Sequence, residues 1–270
     1  MSSILRPTPA QSTRRLIVLI AALFAVAVPA IQAVMGLGLS QREFAADGNS
    51  TLRVAGYAFS IWSLIYLGLV AYAVRQALPS TGESRLITGL GWPSAAAFVG
   101  IGAWIVAAAG DAKIASVVII FASLLALLIP FIVLAPHVRL LGLADRDRWL
   151  TAWPLAALTG WLTVAAPLNL ITVATAYEAL PPALSPDGWA MVAIAAVVGV
   201  AVLVSIRLRL LAYPLPIAWG LAGAFVAERD VAPGVAWAAL AGAGVVLVVG
   251  FMLAVTANAR IERRLTRARA

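Results

Sequence analysis

The chain has 270 residues, 63% hydrophobic and 11% charged, with a mean hydropathy of +1.00. Soluble domains are about half apolar and a quarter charged, so an ordinary cytosolic enzyme, a disordered regulator and a fibrous repeat are excluded. The net charge of +8 rests on arginine, with Lys113 the single lysine; such residues flank membrane spans and set orientation, so no nucleic-acid partner is read from them.

A bilayer span takes roughly 20 apolar residues, so this composition supplies about eight spans and little else. A polar tail over 1–15 carries Arg6, Arg14 and Arg15. Apolar stretches follow at 16–39, 56–77, 92–110, 114–135, 151–176, 189–206, 213–227 and 233–257. Breakers separate them at Asp47-Gly48-Asn49, Pro79-Ser80-Thr81-Gly82, Gly110-Asp111, Pro181-Pro182 and Pro186-Asp187-Gly188. The seventh stretch is short and has Pro214 and Pro216 in its first turns. The expected fold is all-α, a polytopic membrane helix bundle of about eight transmembrane helices.

Charge tests that count. With eight crossings, fifteen cationic residues fall on the side of both termini and four (Arg42, Arg53, Lys113 and Arg229) on the other. The bias predicts a multi-pass protein of the bacterial cell (inner) membrane with cytoplasmic N and C termini. Thr13-Arg14-Arg15 loosely matches a twin-arginine signal, but the apolar run after it exceeds a secretory core of about 7–15 residues. It is read as a retained span.

The interior offers little ionic chemistry. The chain has no cysteine and one histidine, His137, which leaves a single axial ligand open and excludes thiolate and multi-histidine sites. Every acidic residue lies in a loop, at a span edge or in the tail, which counts against ion-coupled pumping. Gln32, Ser60, Ser63, Tyr66, Ser123, Thr159, Thr163, Asn169 and Thr172 supply interior polarity, and hydrogen bonds within the bundle account for the serines and threonines. Pro29, Pro130 and Pro167 are expected to bend their helices. Gly220 with Ala224 and Ala238 with Gly242 suit close helix approach.

Of nine tryptophans, Trp92, Trp149, Trp153 and Trp189 lie near span ends, where an interfacial belt explains them. Trp62, Trp104 and Trp161 lie deeper. Phe59, Trp62 and Tyr66 share one face of the second span, just after Tyr57. In the fifth, Trp161, Ala165 and Asn169 step by four along one side. A flat indole wall, a small residue beside it and an amide beyond can hold a planar apolar ligand with one polar contact. Aromatic packing between helices remains the competing reading.

The second span, with Tyr57, Phe59, Trp62, Tyr66 and Gly68, resembles the signature helix of the TspO/MBR family, the tryptophan-rich sensory proteins that include the translocator protein (peripheral benzodiazepine receptor). The fifth, with Trp161, Ala165, Leu168 and Asn169, resembles that family's last helix. Trp104 fits a third-helix tryptophan, while Ser60 stands where the family has a proline and Ile101 where it has an asparagine. The resemblance implies a five-helix bundle over 16–176, then three additional helices over 177–257 and a basic tail over 258–270. It also implies a membrane sensor, receptor or carrier for a porphyrin, haem or sterol-like lipid. Tyr57, Phe59, Trp62, Tyr66, Trp104, Trp161, Ala165 and Asn169 would line the site. No cofactor is required, porphyrin or haem being the ligand, and a homodimer is compatible. The alternative is a secondary transporter of a small hydrophobic metabolite. A third reading is light- or oxygen-dependent porphyrin breakdown, which no nucleophile–base pair or metal cluster in the sequence supports.

Overall fold

A computed structural model of the protein describes residues 7–46, 51–78 and 80–269. Arg6, the expected turn at Asp47-Gly48-Asn49, Pro79 and the side chains of the basic tail lie outside what is described. The described residues form helices α1 (Pro9–Met35), α2 (Gln41–Ala46), α3 (Ile61–Ala77), α4 (Arg85–Ala109), α5 (Lys113–Val138), α6 (Trp153–Ala176), α7 (Pro186–Leu208), α8 (Pro214–Glu228) and α9 (Pro233–Arg269). A 3₁₀ turn over Gly56–Ser60 leads into α3, and a π turn over Arg148–Ala152 leads into α6. Among the described residues, seven helical segments are long and apolar enough to cross a membrane; α8, at 15 residues, is not.

Polar caps set several boundaries. Thr8 and Gln11 form a reciprocal capping box with Pro9 in the first turn, so α1 starts at Pro9, ahead of the apolar run at 16. It stops at Met35, before 39, because Gly36 takes the left-handed conformation at φ 61°. Ser84 caps α4 through the Ile87 N–H, which carries that helix back to Arg85 through residues too polar to read as span. Ser185 caps α7 ahead of Pro186.

Neighbouring long helices run antiparallel, which gathers the starts of α1, α4 and α6 and the ends of α3, α5 and α7 at one end of the bundle. This is the arginine-rich end, termed here the basic end. The α1–α4 contact is sealed there by Glu83, which accepts hydrogen bonds from Arg14 Nη2 at 2.7 Å and Arg15 Nε at 3.0 Å. Both guanidiniums are buried. Burial pushes the Glu83 pKa up, but hydrogen bonds from Arg14, Thr88 and Arg15 and the Arg14 charge outweigh it, so the net shift is downward. A depressed carboxylate contributes stability above its unfolded pKa and loses it as pH falls through the folded value. Glu83→Gln is therefore expected to cost about 2 kcal/mol at pH 7. The gap between variant and parent should begin to narrow near pH about 4.3, the ordinary glutamate value, and close only as pH falls through the lower native-state value. Thermal unfolding of both proteins in detergent at neutral and acid pH checks this.

α6 is the central helix, packed against α3, α5, α7 and α8, and 72% of its membrane window is buried. Its glycine at 160 lets the backbone of the 209–213 turn come close: a Cβ there would strike the Tyr213 carbonyl. The chain thus leaves α7 at the basic end, dips into the bundle and starts α8 beside Gly250 of α9, where a Cβ would sit 2.5 Å from Pro214 Cγ. α8 is about 22 Å long against a hydrocarbon layer of about 30 Å. The eighth crossing expected from the charge pattern is therefore composite, a buried turn plus a short helix. At the other end, Glu228 of α8 takes the Arg53 guanidinium at 2.9 Å and the Arg53 N–H at 2.6 Å. The Ala55 N–H donates to the Gly223 carbonyl beside this pair.

Candidate functional site

At the end opposite the basic end, α3, α4, α5, α6 and α8 converge on a cavity. Among its lining residues are Phe59, Trp62, Trp104, Trp161, Ala165 and Asn169, six of the eight expected from the sequence. Phe59 lies in the 3₁₀ turn, so its ring enters ahead of Trp62. Trp161 is the hub: its ring stands edge-on to Phe59 at 6.5 Å and to Trp62 at 6.1 Å. Gly220 of α8 faces Trp161 and Val164, where a Cβ would lie 2.9 Å from a Val164 methyl. This is the close approach expected of Gly220. Asn169 is fixed by donating from Nδ2 to Ser116 Oγ at 3.0 Å, and Ser116 donates on to the Lys113 carbonyl.

The other two expected residues lie elsewhere. Tyr57 is 44% exposed and stands edge-on to Trp219 at 5.4 Å, outside the cavity lining. Tyr66 stacks on Trp62 at 5.2 Å and supports the wall from behind. Ser123, Thr159 and Thr163 hydrogen-bond within the bundle as expected, each donating to the carbonyl four residues earlier.

No residue of α2 is expected at the site from the sequence, yet Gln41, Phe44 and Ala45 line it. The Phe44 ring is buried and meets Trp104 edge-on at 6.1 Å. The signal for α2 is in the sequence: Ser40-Gln41-Arg42-Glu43 is a capping box. Ser40 N–H donates to Glu43 Oε2 at 2.7 Å, and Glu43 N–H donates to Ser40 Oγ at 3.2 Å. These bonds to Ser40 hold the Glu43 carboxyl below the ordinary glutamate range.

With Phe44 in place the cavity measures about 40 Å³, room for a few waters. Small-molecule sites are about 300–1,000 Å³, so a macrocycle does not enter the cavity without a shift of its walls. Its lining carries no charged side chain, and two of its buried donors, Trp104 Nε1 and Trp161 Nε1, have no partner. An unmet buried N–H costs about 1–3 kcal/mol, recoverable by a ligand acceptor. No lining residue is a histidine, methionine or tyrosine. His137 lies in the last turn of α5, at the basic end, and cannot reach this cavity. The lining therefore supplies no axial ligand to a haem iron. Among the described residues, no group of three or more histidine, cysteine, aspartate or glutamate side chains could hold a metal ion.

A family model described as TSPO-like protein matches residues 15–252, which takes in helices α1 to α8 and most of α9. Comparison with curated proteins and with solved structures gives no match. A match over most of the chain, on a helical bundle with the tryptophan-lined cavity described above, makes this chain a member of the TSPO-like protein family.

Proposed function

We propose that the protein is a membrane receptor or carrier that takes a planar hydrophobic molecule, of porphyrin or sterol-like class, between the indoles of its cavity. The observation that carries this reading is the pair of orphaned indole donors, Trp104 and Trp161, on an otherwise apolar, uncharged wall. Trp62 and Trp161 supply flat faces, Ala165 clearance and Asn169 an oriented amide. Arg42 of α2, next to the lining residue Gln41, packs over Gly56 and could receive a ligand carboxylate at the mouth. Entry proceeds by a shift of the cavity walls, Phe44 among them, because the cavity as it stands is too small for any such ligand.

Tryptophan quenching by protoporphyrin in purified protein tests this. The double variant Trp161→Phe, Ala165→Leu should weaken binding at least about tenfold, the equivalent of one lost hydrogen bond at about 1.4 kcal/mol. Phe44→Ala should speed association. Unchanged affinity in the double variant would show that the ligand sits elsewhere. Competition of the quenching by a sterol would favour the lipid class.

A further inference from the structure

A second concavity, sharing no lining residue with the first, runs along the lipid-facing seam between α3 and α6. Because α8 starts part-way up the bundle, a groove of about 620 Å³ is left open beside it. Leu64 and Gly68 of α3, Trp149 and Trp153 at the start of α6, and Leu215 and Trp219 of α8 form its walls. Leu64 is 71% exposed, so the groove faces the bilayer. Trp153 Nε1 is buried on this wall without a partner.

The same seam continues towards the basic end into a more polar hollow of about 440 Å³. On α3 the lining passes from Leu64 and Gly68 to Ala71 and Arg75, steps of four, three and four along one stripe. On the facing wall it passes from Trp153 and Trp149 to Leu150 and Arg146. Arg75 is held by Asp147 at 2.6 Å and by Thr151 at 2.7 Å. Arg146 is exposed and has no ion-pair partner among the described residues. The hollow therefore presents one uncompensated positive charge. From Arg75 to Ser60, the far end of the groove lining on this side, the seam is about 22 Å long at 1.5 Å per residue, longer than the half-thickness of a hydrocarbon layer of about 30 Å.

An apolar slot that ends in a hollow with one cation lacking an ion-pair partner among the described residues suits an acyl chain joined to an anionic headgroup. We propose that this seam binds one anionic glycerophospholipid of the leaflet at the basic end. Its phosphate sits at Arg146 and Arg75, and one acyl chain lies against Trp149, Trp153 and Trp219. The site is independent of the porphyrin reading.

Native mass spectrometry of the full chain, titrated with phosphatidylglycerol and with phosphatidylcholine of the same chain length, tests it. The first bound phosphatidylglycerol should be at least about fivefold tighter than phosphatidylcholine. Arg146→Gln, an exposed change, should erase that preference. Ala157→Phe, which fills the groove, should weaken both lipids while porphyrin quenching stays as in the parent, a sign that the fold is intact. Equal binding of the two lipids, a preference that survives Arg146→Gln, or lipid binding unmoved by Ala157→Phe would each overturn the proposal. So would a dimer that Ala157→Phe dissociates, because the groove would then be a subunit interface.

Discussion

Gly160→Ala is expected to lower the stability of the bundle by about 3 kcal/mol, the upper range for overpacking a tight interface. The added methyl meets the Tyr213 carbonyl, a backbone atom that cannot swing aside. α6 and the 209–213 turn must then separate. That shift also breaks the hydrogen bond between Thr163 and Tyr213 at 3.1 Å, and moves Gly220 away from Trp161. The ligand cavity loses its α8 wall as a result. Gly199→Ala is the matched control. Gly199 lies in mid-α7 with nothing within 4 Å of a new Cβ. Replacing glycine by alanine in an open helical position should gain up to about 1 kcal/mol. Unfolding by graded denaturing detergent, followed by circular dichroism, should therefore move the two variants in opposite directions. Equal effects would mean that the Gly160 contact does not govern α8.

The second large effect belongs to the pair at the other end of α8. Glu228 is 3% exposed and Arg53 26% exposed at their side chains. Removing Arg53 strands the more deeply buried partner, whereas removing Glu228 frees an arginine that can turn to water. Arg53→Ala should cost about 3–5 kcal/mol, the range for an uncompensated buried charge. Glu228→Gln should cost less, and the double variant less than Arg53→Ala alone. The Glu228 hydrogen bond and charge raise the Arg53 pKa further above its already high value, so the guanidinium stays charged at every accessible pH. Val54, which lines the cavity, lies between Arg53 and the Ala55–Gly223 bond. Porphyrin affinity should fall with Arg53→Ala even in the fraction that remains folded. A double-mutant cycle on unfolding free energy checks the order.

Much of the fold is legible in the sequence because a bilayer punishes the alternatives. Backbone groups in hydrocarbon must be paired within the chain, so long apolar runs can only be helices. Arginine placement fixes their alternation. The cavity is legible where its residues recur on helical spacing, as with Trp62 on α3 and Trp161, Ala165 and Asn169 on α6. Tyr57 shares the 3₁₀ turn with Phe59 but lies outside the lining, because its place rested on the resemblance and not on helical spacing, and its ring goes to Trp219. Phe44 is missed because its six-residue helix is too short to show periodicity, and only the capping box at Ser40 and Glu43 marks it. Trp149 and Trp153 read as interfacial anchors because they lie at a helix end. Their second role, lining a groove, depends on where α8 begins, and that depends on one glycine of α6 meeting a carbonyl 53 positions later in the chain.

The short α8 also constrains how the protein is made. A helix that starts inside the hydrocarbon layer exposes first-turn N–H groups that lack partners. Pro214 and Pro216 remove two of those donors outright. At 15 residues the segment is still too short to enter a membrane as an independent span. Its apolar contacts are with α9 and α6, so during biosynthesis it should partition only when α9 emerges to form a hairpin with it. Chains released before residue 233 would then leave 214–228 outside the bilayer on the wrong side of the cavity it is meant to close. The last helix is thus expected to serve as an insertion partner for the one before it.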